Sequence, residues 1–136
     1  QGATDVAISA RLEAELAELP PEEAVAMRAE LGLSESGLER VVRGAFSLLD
    51  LIAFFTVGTA KPAQSWHLRR GLSAWHAAGM IHSDIQRGFV RAEVIPWDQL
   101  VDAGGYAAAR ERATLRLEGR DYMVADGDVI TIKFTP

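Results

Sequence analysis

The apolar residues near the start of the chain recur at the spacing of a helix. Leu12, Leu16 and Leu19 fall at positions i, i+4 and i+7, so they share one helical face. Ser9 stands just before this run, where an N-cap residue belongs. The pattern therefore predicts a helix over residues 10–19, preceded by a short apolar run over 6–8 that could end a strand.

Two further helices are predicted before residue 50. Pro20 ends the first helix, and Pro21 can open a second one that closes at Gly32. Ser34 or Ser36 would cap a third helix. The apolar stripe of this third helix is made of Leu38, Val41, Val42, Ala45, Phe46 and Leu49.

From about residue 52 the pattern changes to short alternating and β-branched segments. Val90, Ala92 and Val94 alternate with Arg91 and Glu93, which is typical of a half-buried strand. The same reasoning predicts strands over 53–57, 64–68, 89–95 and 129–134, a main helix over 73–82, and short helical segments at 97–101 and 107–112.

A hairpin is predicted near the end of the chain. Segments 114–117 and 122–124 flank the turn-forming residues 118–121. The resulting order, β-β-α-β-(α)-β-β after three helices, predicts a mixed α+β fold. Five short strands over one principal helix indicate a β-grasp, or ubiquitin-like, arrangement preceded by an N-terminal helical segment.

Composition narrows the classes of function. The chain has 136 residues, of which 49% are hydrophobic and 24% charged, as in a globular domain. It has no cysteine, which excludes a disulfide framework, a thiolate zinc site and a cysteine nucleophile within these residues. The longest apolar run, residues 51–55, is too short to span a membrane. We expect a cytoplasmic protein, and we expect this chain to be a piece of a longer one.

The charge is unevenly placed along the chain. The net charge is −5, yet residues 61–91 hold a single acidic residue, Asp84, among several bases. Such a stretch favours an anionic partner, because the planar guanidinium of arginine suits phosphate oxygens. Ordinary solvated surface is the alternative. The predicted RNA or phosphate contacts are Lys61, Arg69, Arg70, Arg87 and Arg91.

The histidines and tryptophans allow two interpretations each. His67, His76 and His82 lack the spacing of a helical metal pair and have no carboxylate cluster beside them, so structural roles are favoured and no metal site is predicted. Trp75 either packs or contacts a partner, since exposed aromatic rings stack on bases in single-strand binders.

Several segments together resemble the TGS domain of the YchF (Obg-like ATPase) family. Phe54-Phe55-Thr56-Val57-Gly58 is similar to its opening strand. Segment 38–43 is similar to the helix that leads into it, 81–95 to its core, and 117–122 and 126–130 to its last two turns. Trp75 and Pro62-Ala63-Gln64 depart from the common family pattern.

The resemblance implies a parent protein with a P-loop nucleotide-binding domain, a helical arm and this C-terminal part. On this basis residues 1–51 are the end of the G domain with connecting helices, and 52–136 are the TGS domain. Such parents hydrolyse ATP, some also GTP, with Mg²⁺, and associate with ribosomes. This chain has no Gly-x-x-x-x-Gly-Lys-Ser/Thr loop. We therefore expect no bound cofactor and no nucleotide hydrolysis by the chain alone.

The resemblance also implies a remnant of the nucleotide site. Ser9, Ala10 and Arg11 are similar to the Ser-Ala-x loop that packs beside the nucleotide base in the parent. The alternative is that Ser9 is only an N-cap.

Three functions follow from these patterns and the resemblance. The favoured one is a regulatory module that faces the ribosome or RNA and contacts the upstream G domain, with no membrane and no DNA as partner. The second is a protein-interaction module that pairs through a strand edge. The third is the activity of the whole parent, an ATP- or GTP-binding hydrolase.

Overall fold

The structure is a computed structural model that describes residues 5–58 and 62–135. In these ranges the chain forms seven helices and five strands: α1 (Ala10–Ala17), α2 (Pro21–Glu30), α3 (Gly37–Leu48), β1 (Leu51–Thr56), β2 (Gln64–Arg69), α4 (Ala74–Ile81), α5 (Ser83–Arg87), β3 (Phe89–Pro96), α6 (Trp97–Ala103), α7 (Tyr106–Glu111), β4 (Arg116–Glu118) and β5 (Asp128–Phe134). They fall into two compact units, one up to Leu49 and one from Asp50 onward.

The first unit consists of the three predicted helices. The hydroxyl of Ser9 accepts a hydrogen bond from the Leu12 N–H at 3.4 Å, which confirms the N-cap of α1. The Glu13 carboxylate accepts a hydrogen bond from the Gly37 N–H at 2.8 Å and so ties α1 to the start of α3. Arg28 of α2 stands 3.8 Å from the same carboxylate. This half-buried carboxylate of α1 thus contacts both other helices of the unit.

Ser36, not Ser34, caps α3. Its hydroxyl accepts from the Glu39 N–H at 3.2 Å, and the Glu39 carboxylate accepts from the Ser36 N–H at 2.7 Å, which completes a capping box. Of the predicted apolar stripe, Phe46 is half-buried and the other five residues are exposed. The strand end predicted at 6–8 is wrong for the described residues, which have no regular structure there.

The second unit is built on a five-stranded sheet in the order β2-β1-β5-β3-β4. The two central strands, β1 and β5, are parallel, with Phe55 opposite Val129. The other neighbours are antiparallel. All four strands that the alternation predicted are confirmed within a residue or two.

Each face of the sheet has its own apolar cluster. α4 covers one face through Ala74 and Ala77, and the buried strand residues beneath it are Ile52, Phe54, Leu68, Ala92, Val94 and Ile130. On the other face, Ala103 of α6 and Ala109 of α7 pack with Ile95 and Val129. The mixed α+β fold is therefore confirmed. No helix in the described ranges has the length and apolar character that a membrane crossing needs.

The predicted hairpin around residues 118–121 is wrong. β4 pairs with β3 instead, with Leu117 opposite Glu93. In the other predicted arm, Met123 forms a single bridge with Ser73, ahead of α4. The Tyr122 carbonyl accepts from the Ala74 N–H at 2.8 Å, so this segment closes the start of a helix and does not extend the sheet. The short helix α5 was also missed.

Candidate nucleic-acid interface

The predicted cationic residues lie at two opposite ends of the sheet. Arg69 pairs with the first residue of β1, whereas Arg91 pairs with the penultimate residue of β5. Because β1 and β5 run parallel with Phe55 opposite Val129, these two arginines are about eight positions apart along the strands, or roughly 26 Å. The structure therefore does not bring Arg69 and Arg91 together. Lys61 lies outside the described residues.

Two of the predicted arginines are already paired. Arg70 lies 3.3 Å from the Asp50 carboxylate, measured from Nε to Oδ1. Arg87 forms an ion pair with Asp84 within α5. All four side chains are more than half exposed, so these pairs contribute little to stability. They do, however, reduce the positive charge that Arg70 and Arg87 offer to an anion.

A larger group of cations surrounds Glu93. Arg91 and Glu93 are two residues apart on β3 and therefore lie on the same face of the sheet. Lys133 stands directly opposite Arg91 on β5, and Arg110 reaches this face from α7. We call Arg91, Arg110 and Lys133, with Glu93 between them, the β3 basic patch.

Glu93 is buried, with only 8% of its surface exposed, and is hydrogen-bonded on both carboxylate oxygens. Arg110 Nη2 donates to Oε1 at 2.9 Å and to Oε2 at 2.8 Å. Lys133 Nζ lies 3.4 Å from Oε2, and the Tyr106 hydroxyl donates to the same oxygen. Arg110 also lies over the Tyr106 ring, 5.7 Å from its centroid. The carboxylate thus fixes the positions of three side chains.

Glu93 stays ionised at neutral pH despite its burial. Burial alone would raise the pKa of Glu93, but the hydrogen bonds from Tyr106 and Arg110 and the charges of Lys133 and Arg110 bring it below the ordinary value of 4.5. Burial and the hydrogen bond to Glu93 raise the pKa of Tyr106 above 10.0. Three cations therefore face one carboxylate, which leaves the patch with a net positive charge.

Arg91 is the member of this patch with its charge uncompensated. It is exposed, and no carboxylate within residues 5–58 and 62–135 lies at ion-pair distance from it. Arg91 stands directly opposite Lys133, and like charges across a strand pair repel. An anionic ligand that contacts both side chains would remove this repulsion.

Arg110 and Lys133 were not among the contacts predicted from the sequence. Lys133 could have been found, because it lies on the outer alternation of the last predicted strand, as Arg91 does on β3. Arg110 could not have been found, since nothing in the local sequence pattern indicates that α7 packs beside β3. Like Arg91, Arg69 has no ion pair with any residue that the structure describes, but its neighbour Arg70 is already paired with Asp50.

The loop predicted to lie beside the nucleotide base forms the start of α1. Ser9 is the N-cap, Ala10 is the first helical residue, and Arg11 donates to Glu15 at 2.9 Å on the exposed surface. The first N–H groups of a helix have no partner within it, so this turn offers donors to a ligand. The N-cap role of Ser9 is observed, and it is compatible with the role implied by the resemblance.

The histidines at the ends of α4 have structural contacts. His82 Nδ1 accepts from the Asp84 N–H at 3.1 Å and so caps α5, in line with the structural role expected. His76 Nδ1 lies 3.0 Å from the Ser73 hydroxyl. Within the described ranges, no group of three or more His, Asp or Glu side chains is placed to hold a metal ion.

The sequence is similar to proteins of one family over most of its length. Residues 51–135 match the profile of a family described as YchF-GTPase_C, protein of unknown function (DUF933). Over 134 residues the chain is 42% identical to the Ribosome-binding ATPase YchF of Bacillus subtilis, an alignment that covers 98% of this chain and 36% of that protein. It is 38% identical over 133 residues to the Obg-like ATPase 1 of Oryza sativa subsp. japonica, with 98% and 33% covered. The chain thus spans about a third of the length of these curated relatives.

A solved structure shows the same similarity. The chain superposes on the Schizosaccharomyces pombe YchF GTPase with a TM-score of 0.75 and 30% sequence identity, covering 88% of this chain and 31% of that one. A GTP binding protein from Pyrococcus horikoshii OT3 superposes with a TM-score of 0.55 at 24% identity, which indicates a shared fold.

Proposed function

This chain belongs to the YchF family, and from that premise we propose that it is the TGS-containing C-terminal part of a nucleotide-binding ATPase or GTPase and that it faces the ribosome or RNA. The observation that carries the proposal is the match of residues 51–135 to the family, together with curated relatives named ribosome-binding ATPases that align with 98% of the chain. The proposed location is the cytoplasm, where ribosomes work.

The sheet supports the assignment of a β-grasp TGS domain to residues 52–136. Two parallel central strands, β1 and β5, are flanked by antiparallel neighbours in the order β2-β1-β5-β3-β4. One helix, α4, packs across one face. This is the strand order and helix placement of ubiquitin-like folds.

Residues 1–51 are proposed to be the end of the G domain and its connecting helices. The boundary between the two compact units, after Leu49, lies close to this division. In the parent, the turn at Ser9, Ala10 and Arg11 would lie beside the nucleotide base and offer its helix N–H groups. The upstream G domain is then a partner of this part within one protein.

Hydrolysis of ATP or GTP is proposed for the parent and not for this chain alone. The sequence has no glycine-rich loop followed by Lys and Ser or Thr to wrap phosphates. The described residues also offer no cluster of metal ligands. We therefore assign Mg²⁺ and the nucleotide phosphates to the rest of the parent. Phosphate release measured with the purified 136-residue chain should not exceed that of a buffer control, and sustained turnover would contradict this assignment.

The β3 basic patch is the surface we assign to RNA phosphates. Arg91 contributes a guanidinium that forms no ion pair with any described residue, and Lys133 and Arg110 are held beside it by Glu93. The predicted contacts Arg69, Arg70 and Arg87 lie elsewhere on the domain and remain candidates, as does Lys61. Phosphate contacts by cations make binding depend steeply on salt.

Cosedimentation with ribosomes over a salt series tests this proposal. We expect the wild-type chain to pellet with ribosomes, with affinity that falls as salt rises. Arg91→Ala should weaken binding and reduce the slope of log K against log salt by about 1, since one phosphate contact is lost. Arg112→Ala is the matched control, because this exposed arginine lies two positions from Arg110 and so about 200° around the helix. No cosedimentation, or a slope near zero, would contradict the proposal.

A second candidate function rests on β2. This six-residue strand lies at the edge of the sheet, and among the described residues only β1 pairs with it. An extended segment of a protein partner could add to such an edge. Cross-links from ribosome-bound chain that map only to ribosomal proteins, and to β2, would favour this function over RNA contact.

A further inference from the structure

Among the described residues of the second unit, three arginines lie over aromatic rings, and one of them lacks the carboxylate partner that the other two have. Arg110 lies over Tyr106, Arg116 over Tyr122, and Arg120 over Trp75, with Cζ 5.4 Å from the indole centroid. Arg110 is bound to Glu93. Arg116 lies 3.8 and 3.9 Å from the carboxylates of Asp128 and Glu118.

Arg120 has no such anchor. It is exposed, and in the described part of the chain no carboxylate pairs with it, not even that of the adjacent Asp121. Its side chain is not needed to hold its loop, because the Arg120 carbonyl already accepts from the Trp75 N–H at 3.1 Å. A structural role accounts for the first two pairs, but it leaves the charge of Arg120 unexplained.

Trp75 is held in place by contacts near the start of α4. The Gln86 amide donates to the Trp75 carbonyl at 3.2 Å, and His76 packs edge-on against the indole with centroids 5.2 Å apart. Trp75 is the second residue of α4, where the helix dipole is positive, so a cation such as Arg120 is disfavoured there unless an anion joins it. The Trp75–Arg120 pair thus combines an aromatic plane with a cation.

We propose that Trp75 and Arg120 form a stacking platform for an unpaired base of single-stranded RNA, with its phosphate beside the Arg120 guanidinium. An indole and a guanidinium plane both stack on bases, and a fixed platform loses little entropy on binding. The site lies on α4 and the loop after β4, and none of its residues belongs to the β3 basic patch. This proposal rests on the proposed RNA-facing role and adds a contact to an RNA base.

Binding of a fluorescein-labelled oligoadenylate hexamer to the full 136-residue chain, measured by anisotropy, tests the platform. We expect Trp75→Ala and Arg120→Ala each to weaken binding about tenfold, the effect of one lost stacking contact. Trp75→Phe should retain most of the affinity, because a ring remains. Trp97→Phe is the control, since Trp97 is exposed on α6 and no arginine lies over it in the described structure.

Two further binding measurements decide between single-stranded RNA and other ligands that carry a base and a phosphate. An RNA duplex should bind more weakly than the hexamer, and AMP should compete only at much higher concentration. Equal binding of the duplex, equal competition by AMP, or unchanged affinity in the folded Arg120→Ala variant would overturn the proposal. Arg120 is exposed, so this variant remains informative even if Trp75→Ala unfolds, and thermal melting of each variant checks folding.

The ribosome assay separates this proposal from the proposed function. Cosedimentation of a chain that does not bind the hexamer would overturn the platform and leave the ribosome-facing role intact. Hexamer binding that depends on Trp75, without cosedimentation, would support the platform and contradict the ribosome-facing role.

Discussion

Arg110 donates from one nitrogen, Nη2, to both carboxylate oxygens of Glu93, at 2.9 and 2.8 Å. The carboxylate is buried in the sheet, whereas more than half of the arginine side chain is exposed. A surface helix, α7, is thereby tied by charge to the middle of β3. Glu93 also holds Lys133, so one carboxylate fixes two of the three cations of the proposed RNA surface.

Replacing Glu93 should destabilise the second unit and disorder the basic patch. Glu93→Ala removes the acceptor for Arg110, Lys133 and Tyr106, and we expect a loss of about 1–3 kcal/mol in the free energy of unfolding. Glu93→Gln keeps the shape and should cost less. Urea denaturation followed by tryptophan fluorescence is the measurement, since Trp66, Trp75 and Trp97 all lie in this unit. An unchanged urea midpoint for Glu93→Ala would contradict this role.

The contribution of Glu93 should depend on pH in one direction. Its pKa in the folded chain lies below the ordinary value of 4.5, so the folded state favours the ionised form. The resulting stabilisation is present above pH 4.5 and is lost as pH falls from there through the folded pKa. The difference in urea midpoint between wild type and Glu93→Gln should therefore be largest near pH 7 and shrink below pH 4.5. A difference that grows on acidification would show that this carboxylate is not held ionised by its partners.

Features that depend on neighbouring residues were predicted from the sequence, whereas features that depend on distant parts of the chain were not. Ser9 as a cap, the strands and α4 depend on neighbouring residues, and the local pattern predicted them. The hairpin failed because β4 finds its partner in β3, a choice made by the whole sheet. Of the three cations in the β3 basic patch, the sequence predicted one. Arg91 was found from local charge, but the approach of Arg110 depends on how α7 packs.

The capping box of α3 gives a test of the first unit. Ser36→Ala removes the acceptor for the Glu39 N–H and should cost about 1 kcal/mol of helix stability. Ser34→Ala is the matched control, because Ser34 is exposed and precedes the cap by two residues. Far-UV circular dichroism at 222 nm during urea denaturation follows the helices. Equal effects of the two variants would mean that the cap does not stabilise α3 in solution.

A side chain at Gly88 should destabilise the second unit, although the backbone angle of Gly88 is an ordinary one for any residue. Its φ is −84°, so conformational strain is not the reason. The Thr135 carbonyl occupies the space where a Cβ would stand, and the Thr135 N–H donates to the Gly88 carbonyl at 2.9 Å. Gly88→Ala must therefore push the end of β5 away from α5, and we expect a loss of about 1–3 kcal/mol in the free energy of unfolding, the usual cost of overpacking.

Gly119→Ala is the control, because a Cβ there meets nothing within 4 Å and its φ is unexceptional. Urea denaturation followed by tryptophan fluorescence should shift its midpoint for Gly88→Ala alone, and faster amide exchange at Thr135 in that variant would locate the damage at the end of β5.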